Sequence, residues 1–596
     1  MALAAGMLAA AIVSLNGLWD FRLEAGKTLE EVKLPAFAAN DKMVVPGAWD
    51  AMSHYYNQRG TGCYRRSFEL ETDVVNAFLV VDGCCLRSKY WIDGREVGFS
   101  KLPWSKFEFA TGPLKAGRHE IVAAVDSVVD NAKVKLFFDF YDFYAFGGFH
   151  HGVWLETQAE PVELRKLVVR TRDYRTGTVE LEALYAQEGP KDFTAAVAFD
   201  GGKPSDVAFK NRRATLKVPN FRLWTPEAPN LHEVEVRVSA SLTSGKDSAS
   251  PLGSGKDSAS PLGSGKDSAS PLKARFGIRT VGTAKKRITL NGKPIYLKGV
   301  NRHEAHYEFG ATTPVQLMYE DIQNLKDLGG NFIRGAHYAQ SDDFLTLCDE
   351  LGVLVWEESL GWGNQAEQFN DPEFRALQKE ETRLMVRNSI NHPCVIVSAF
   401  MNEPVSSLPA CKSLVDELIA VIRAEDTGHL VTFACNHTDT DISHANTDII
   451  AYNAYPGWYH YFLQTGSHEE LRANIRQCHE ETPRAFRERY KDDRPIIVSE
   501  TGVKADYGMR DPRGRAQYTE DFQAEYTRLT LEEVFAQPEL AGIAIWQFTD
   551  AKTYTRVCGI TGRSYGVNTG GLYDLYRRPK LSVEAVRELF HSSKVK

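Results

Sequence analysis

The run Val395-Ile-Val-Ser-Ala-Phe-Met-Asn-Glu-Pro404 carries mostly apolar residues up to Asn402 and Glu403, and Pro404 ends it. The design recurs in Pro495-Ile-Ile-Val-Ser-Glu-Thr-Gly502, where Glu500 takes the tip. Apolar runs of this length between breakers read as buried strands, and a carboxylate at the end of one belongs to the rim of a sheet. Two carboxylates at one site are the apparatus of glycosidic bond hydrolysis: a protonated acid beside a nucleophile or base. The two settings differ. Glu403 follows an apolar run and precedes proline, so desolvation is expected to raise its pKa, whereas Glu500 lies between Ser499 and Thr501, in hydrogen-bonding surroundings. A separation of about 5–5.5 Å gives retention of anomeric configuration and about 6.5–9.5 Å inversion, and the sequence does not carry that distance.

The elements that must position these groups follow from the pattern after residue 285. Apolar runs of four to seven residues alternate with amphipathic stretches at 315–328, 341–352, 373–391, 412–425, 468–489, 517–536 and after Pro579. Eight strand candidates alternating with helices predict a parallel sheet closed into a (β/α)₈ barrel. Catalytic groups of such barrels sit at the C-terminal ends of the strands. Asn301 to Glu304, His337, Glu357, Glu358, Asn402, Glu403, Asn453, Tyr455, Glu500, Trp546 and Asp550 all fall there. Strands four and seven place Glu403 and Glu500 nearly across the mouth from each other.

Ahead of the barrel, residues 1–160 and 161–282 alternate short apolar runs with turns, among them Asp93-Gly94 between two runs, a hairpin signal. They read as a jelly-roll β-sandwich of the sugar-binding kind and a smaller immunoglobulin-like sandwich, with the catalytic barrel at 283–596. Ser244-Gly-Lys-Asp-Ser-Ala-Ser-Pro-Leu-Gly253 repeats in tandem to Leu272; such a composition cannot build a core, so 243–272 is expected to be a disordered insert. The repeats lack the spacing of a phosphate-binding loop.

A net charge of −8 removes the case for nucleic acid or an anionic membrane as partner. Nine scattered cysteines without ligand spacing suggest reduced thiols in a cytoplasmic protein. The apolar N-terminus has no Lys or Arg before its apolar run, so a signal peptide is not expected.

Asn402-Glu403-Pro404, Asn453-Ala-Tyr-Pro-Gly-Trp-Tyr459, Ser499-Glu-Thr-Gly502, Gly299-Val-Asn-Arg-His-Glu304, Arg334-Gly-Ala-His-Tyr338, Trp546-Gln-Phe-Thr-Asp550 and Asp142-Phe-Tyr-Ala-Phe-Gly-Gly-Phe-His-His151 together resemble glycoside hydrolase family 2, its β-glucuronidases and short β-galactosidases above all. The resemblance spans nearly the whole chain. It implies a retaining double displacement with Glu403 as acid/base and Glu500 as nucleophile. It further implies that Tyr455 bonds the nucleophile and Asn402 the sugar 2-hydroxyl. Asp142, His337, Asn453, Tyr459, Arg563 and Asn568 complete the substrate site, with Trp546 as its wall. A carbohydrate substrate and a homo-oligomer are implied as well. The Trp356-to-Gly363 segment has no nearby His of the kind that helps the large β-galactosidases hold magnesium, so no metal and no cofactor are expected.

One position departs from the pattern. Glucuronidases carry Asn-x-Lys after strand eight, and here Asn568 is followed by Thr569 and Gly570. A glucuronide carboxylate without a cation is poorly held, unless Arg563 or Arg577 takes the part. The reading is therefore an exo-β-glycosidase with galactoside first. A glucuronide or galacturonide held by another cation is the alternative. A non-catalytic carbohydrate-binding protein is the rival of another class, and it predicts the loss of a carboxylate or of Tyr455, neither of which is lost.

Overall fold

The computed structural model describes residues 12–158, 164–185, 189–238, 271–425, 428–459, 466–554 and 563–592. Residues 1–11 of the apolar N-terminus and 243–270 of the tandem insert lie outside them.

Residues 12–158 form antiparallel sheets of six, four and three strands around a core of Trp19, Phe21, Trp49, Tyr64 and Phe149. The hairpin expected at Asp93-Gly94 is present. Ile92 pairs with Arg95 across it, and both turn residues have positive φ, 49° and 77°. That geometry matches the right-handed twist of the two strands it joins, and Asp-Gly adopts it readily. The described residues between 164 and 276 form a three-stranded and a four-stranded antiparallel sheet over a second core in which Phe193 and Phe209 stack at 4.6 Å. The strand pair that brackets the insert, His232–Val238 and Leu272–Phe276, is antiparallel.

Eight parallel strands then close on themselves: Leu297–Arg302, Phe332–Gly335, Leu354–Trp362, Val395–Asn402, Leu430–Cys435, Ile450–Asn453, Ile496–Thr501 and Leu540–Ile545. Closure is direct, with Leu297 paired to Gly542. Every residue of Val395–Asn402 and Ile496–Thr501 is buried, as continuous apolar runs in a parallel sheet require. Helices Val315–Asp327, Asp342–Leu351, Pro372–Ser389, Pro409–Glu425, His468–Tyr490, Glu520–Ala536 and Ser582–His591 surround the strands. Their starts follow local chemistry: Ser341, Ser467 and Thr519 each accept a backbone N–H at the N-cap, and Asp371 caps a helix that opens with Pro372. Helix Asp342–Leu351 ends at Gly352, at φ 73°, where an added Cβ would meet the Pro226 carbonyl oxygen at 2.2 Å. Glycine is required there on both counts.

The first sandwich helps to build the barrel mouth. Its segment 134–146 sends Phe137, Tyr141 and Phe143 into one core with Tyr338, Leu360, Phe400 and Met401 of the barrel. Trp104 stacks on Tyr338 at 4.7 Å. Asp142 is thereby carried on a packed aromatic segment to the strand tips. The eight described cysteines are all buried and unpaired.

Candidate active site

Arg334, at the tip of the second strand, is the hub of the mouth. It is fully buried and meets two carboxylates. Its Nη1 donates to Glu500 Oε1 at 2.6 Å, and its Nε and Nη2 grip Glu358 at 3.1 and 2.9 Å. The same guanidinium reaches Asn301 Oδ1 at 2.8 Å and Asn402 Oδ1 at 2.9 Å. A planar five-donor fork suits such a junction, and a lysine could not make it. Glu358 braces the hub: it also accepts from Trp356 Nε1 at 3.0 Å.

Glu500 ends the seventh strand. Its second oxygen accepts from the Tyr455 phenol at 2.6 Å. Its sequence neighbours turn elsewhere: Ser499 Oγ donates to Asn453 Oδ1 at 2.7 Å, and Thr501 Oγ1 meets Tyr526 at 3.4 Å. The hydrogen bonds on Glu500 are therefore long-range ones, and they bring a full counter-charge with them.

Glu403 follows the fourth strand with its backbone in the left-handed region, at φ 50°, and Met401 two residues earlier is at φ 52°. Such conformations cost about 1–3 kcal/mol each and persist where the surroundings hold them. The Glu403 N–H is held by the Ala434 carbonyl at 2.8 Å. Its half-buried side chain accepts one hydrogen bond, from Asn453 Nδ2 at 2.8 Å. Burial first, and the charge of Glu500 second, push its carboxyl up to about 8. The two carboxylates thus stand in opposite environments, one facing a guanidinium and a phenol, the other a single amide.

Asn453 ties them together. It lies opposite Glu500 in the pairing of strands six and seven, and its Nδ2 reaches both Glu403 and Asn402 Oδ1, the latter at 3.0 Å. With Oδ1 of Asn402 taken by Arg334 and Asn453, its Nδ2 is left buried without a partner. A buried orphan donor is costly unless something accepts from it, and this side chain shares Arg334 with Glu500 and Asn453 with Glu403.

His337 stacks on Trp546 at 5.3 Å and presents Nδ1 to Glu358 at 3.2 Å. Burial pushes its pKa down to about 3, so the ring is neutral. With Nδ1–H given to Glu358, Nε2 is left as an acceptor for a hydroxyl. His303 is a support, packed on Phe143 and Trp546 with Nδ1 against the Tyr338 phenol at 3.3 Å. Glu304 is likewise held, by Thr313 and Ser341, each at 3.1 Å.

On the far rim, Asp142 accepts from Thr553 at 3.0 Å, from Arg563 Nε at 2.9 Å and from Asn568 Nδ2 at 3.1 Å, and Arg563 Nη2 closes a second bond to it. Asp142 therefore organises Arg563 and Asn568, and the guanidinium expected to meet a sugar carboxylate already has an anion. Arg577 is equally committed, to Asp321 at 3.1 Å and the Ala305 carbonyl at 3.1 Å. Tyr459 packs edge-on against Tyr455 at 5.3 Å and accepts from Lys504 Nζ at 2.9 Å. The structure thus gathers Glu403, Glu500, Asn402, Asn453, Tyr455, His337 and Trp546 into one network, and Asp142, Arg563, Asn568 and Tyr459 into the rim beside it. Sequence reading left out Arg334 as hub, Thr553 and Lys504. A cation directly at a strand tip was the available signal for Arg334.

Among the described residues, two clusters contain metal-ligand residue types, Asp349 with His392 and Cys394, and Cys435 with Asp441 and His444. Their ligand atoms are engaged within the protein. His392 lies between Asp349 and Asp342, at 2.6 and 3.2 Å, and His444 between Asp441 and the Phe433 carbonyl, at 2.9 and 3.1 Å.

Residues 281–595 match the family model described as "Glycosyl hydrolases family 2, TIM barrel domain". The β-glucuronidase of Rattus norvegicus is 28% identical over 457 residues, which cover 76% of this chain and 64% of that protein. The β-glucuronidase of Canis lupus familiaris is 28% identical over 462 residues, 76% of this chain and 65% of the relative. The chain thus spans just under two thirds of the length of these relatives. A β-galacturonidase structure from Eisenbergiella tayi, bound to galacturonate, superposes with a TM-score of 0.83 at 24% identity, covering 98% of this chain and 97% of that one. A Faecalibacterium prausnitzii β-glucuronidase gives 0.81 at 21% identity, with 99% of both chains covered. Both have the same fold as this chain.

Proposed function

The chain belongs to glycoside hydrolase family 2, and we propose that it is a retaining exo-β-glycosidase acting on β-uronides, glucuronide or galacturonide. The observation that carries the reaction is the contrast between the two glutamates. Glu403, pushed up to about 8, holds a proton at neutral pH, while Glu500 has Arg334 and Tyr455 on its two oxygens. In the first step Glu500 attacks the anomeric carbon as Glu403 gives its proton to the glycosidic oxygen, and the aglycone leaves as an alcohol. In the second, Glu403, now ionised, takes a proton from water, whose oxygen displaces Glu500 from the sugar. Arg334 and Tyr455 hold the carboxylate in line before attack and receive it again on release. The Asn402 donor bonds the 2-hydroxyl, a contact that strengthens as the anomeric carbon becomes cationic. Retention is supported by closeness: one Asn453 side chain bonds Glu403 while its backbone pairs with Glu500.

The sugar preference moves from the galactoside expected from Gly570 toward a uronide. Its support is that the named relatives and the galacturonate-bound neighbour are uronidases. A galactoside remains the second reading, because Gly570 removes one cation and Arg563 is taken by Asp142. Hydrolysis of p-nitrophenyl β-glucuronide, galacturonide, galactoside, glucoside and mannoside, beside Glu500→Ala and with the product anomer followed by NMR, tests the whole. The proposal expects a uronide first, a β-anomeric first product, and loss of turnover in Glu500→Ala. A galactoside first sinks the uronide, and an α-product sinks the mechanism.

A further inference from the structure

We propose that Lys504 is the cation that receives the C6 carboxylate of the sugar, a specificity determinant that deepens, and rests on, the uronide reading. Lys504 follows Glu500 by four residues and is 4% exposed. Its Nζ donates to the Tyr459 phenol at 2.9 Å and lies 5.4 Å from the centroid of that ring. No Asp or Glu among the described residues forms an ion pair with it. Four other buried cations around the mouth are spent on carboxylates, while the Lys552 ammonium packs over the Tyr144 ring, 4.0 Å from its centroid. Arg334 faces Glu358 and Glu500, Arg563 faces Asp142, Arg577 faces Asp321, and Lys580 faces Asp550 at 2.7 Å. An ammonium withdrawn from water whose one hydrogen-bond partner among the described residues is a phenol is expensive. A carboxylate delivered by the ligand supplies the missing counter-charge.

Its position fits that ligand. The N–H of Ala505 donates to the Thr569 carbonyl at 3.0 Å, so Lys504 sits beside the Asn568-to-Gly570 segment. A cation absent at position 570 is therefore present on the neighbouring loop. Position 570 is itself crowded: a Cβ there would lie 3.2 Å from Asn568 Oδ1 and 3.3 Å from Trp546 Cδ1, closer than ordinary contact. The two oxygens of Glu500 mark two flanks of the site. Oε1 faces Arg334 and, through it, Asn402; Oε2 faces Tyr455, behind which stand Tyr459 and Lys504. In a pyranose, C2 and the ring oxygen leading to C5 lie on opposite sides of the anomeric carbon. A sugar whose 2-hydroxyl meets Asn402 turns C5 and its carboxylate toward the Lys504 flank.

The test compares kcat/KM for galacturonide against galactoside, and glucuronide against glucoside, in wild type, Lys504→Met and Lys504→Arg. The ratio of uronide to neutral sugar should fall about a hundredfold in Lys504→Met, mostly through KM, and recover at least tenfold in Lys504→Arg. Lys504→Gln, which keeps a donor toward Tyr459 without the charge, replaces Lys504→Met if that variant does not fold. An unchanged ratio in a wild type that prefers uronides overturns the role of Lys504 and leaves the uronide reading standing. An equal loss on both sugars makes Lys504 structural and also overturns it. A wild type that cleaves only neutral sugars removes the uronide reading and Lys504 together.

Discussion

The acid role proposed for Glu403 makes a quantitative demand on pH dependence. Its carboxyl stands at about 8 against an ordinary value of 4.5. At pH 7 a carboxyl with a pKa of 8 is about 90% protonated, and one at 4.5 only about 0.3%, so the environment supplies roughly a 300-fold gain in competent acid. Burial leads that shift and the charge of Glu500 follows. The basic limb of kcat/KM in the free enzyme should therefore have its midpoint near 8. In Glu403→Ala, a 2,4-dinitrophenyl glycoside, whose leaving group needs no proton, should lose that limb. Its glycosylation rate should stay within about tenfold of wild type, while a poor leaving group such as methanol loses about 10⁴. Added azide should then give a β-glycosyl azide, because the anion needs no base to attack the sugar–Glu500 ester. A basic limb with its midpoint below pH 6 would refute the electrostatic reasoning, and a limb that persists in Glu403→Ala assigns it to another group.

The same shift has a stability side. A carboxyl whose folded pKa is raised contributes stability that is complete below the unfolded value, near 4.5, and is lost as pH rises toward 8. Glu403→Gln escapes that loss, so its melting temperature should overtake that of wild type by a few degrees at pH 8 and show no gain at pH 4.5, checked by calorimetry at both. Asn402→Ala should lower kcat/KM about 10²–10³-fold on a parent glycoside and far less on the 2-deoxy sugar, since the orphan Nδ2 has nothing to bond there; equal losses on both would assign Asn402 to support of Arg334 alone. Arg334→Met leaves Glu358 and Glu500 uncompensated, and a thermal melt should show a loss of about 3–5 kcal/mol. Arg334→Lys should rescue little of it, because one ammonium cannot serve four acceptors.

Much of this architecture is legible in the order of residues because the signals are local. Continuous apolar runs mark the barrel strands, Ser341, Asp371, Ser467 and Thr519 mark helix starts, and Asp93-Gly94 marks its hairpin. The rim residues are legible too, since a polar side chain directly after such a run must lie at a strand end. What the order of residues hides is how the rim charges pair. Glu500 receives its guanidinium from 166 positions away, and Arg563 is neutralised by Asp142 across 421 positions and two sheet systems. Read along the chain, Arg563 is the natural candidate for a sugar carboxylate and Lys504 is one more charge in a loop. Folded, the roles exchange: Arg563 is spent on Asp142 from the first sandwich, and Lys504 is left facing a phenol. Specificity for an anionic sugar depends on which cation remains after the protein has paired the others. That remainder is set by which loops meet at the mouth, so a glycine where the family pattern has lysine does not by itself decide the substrate.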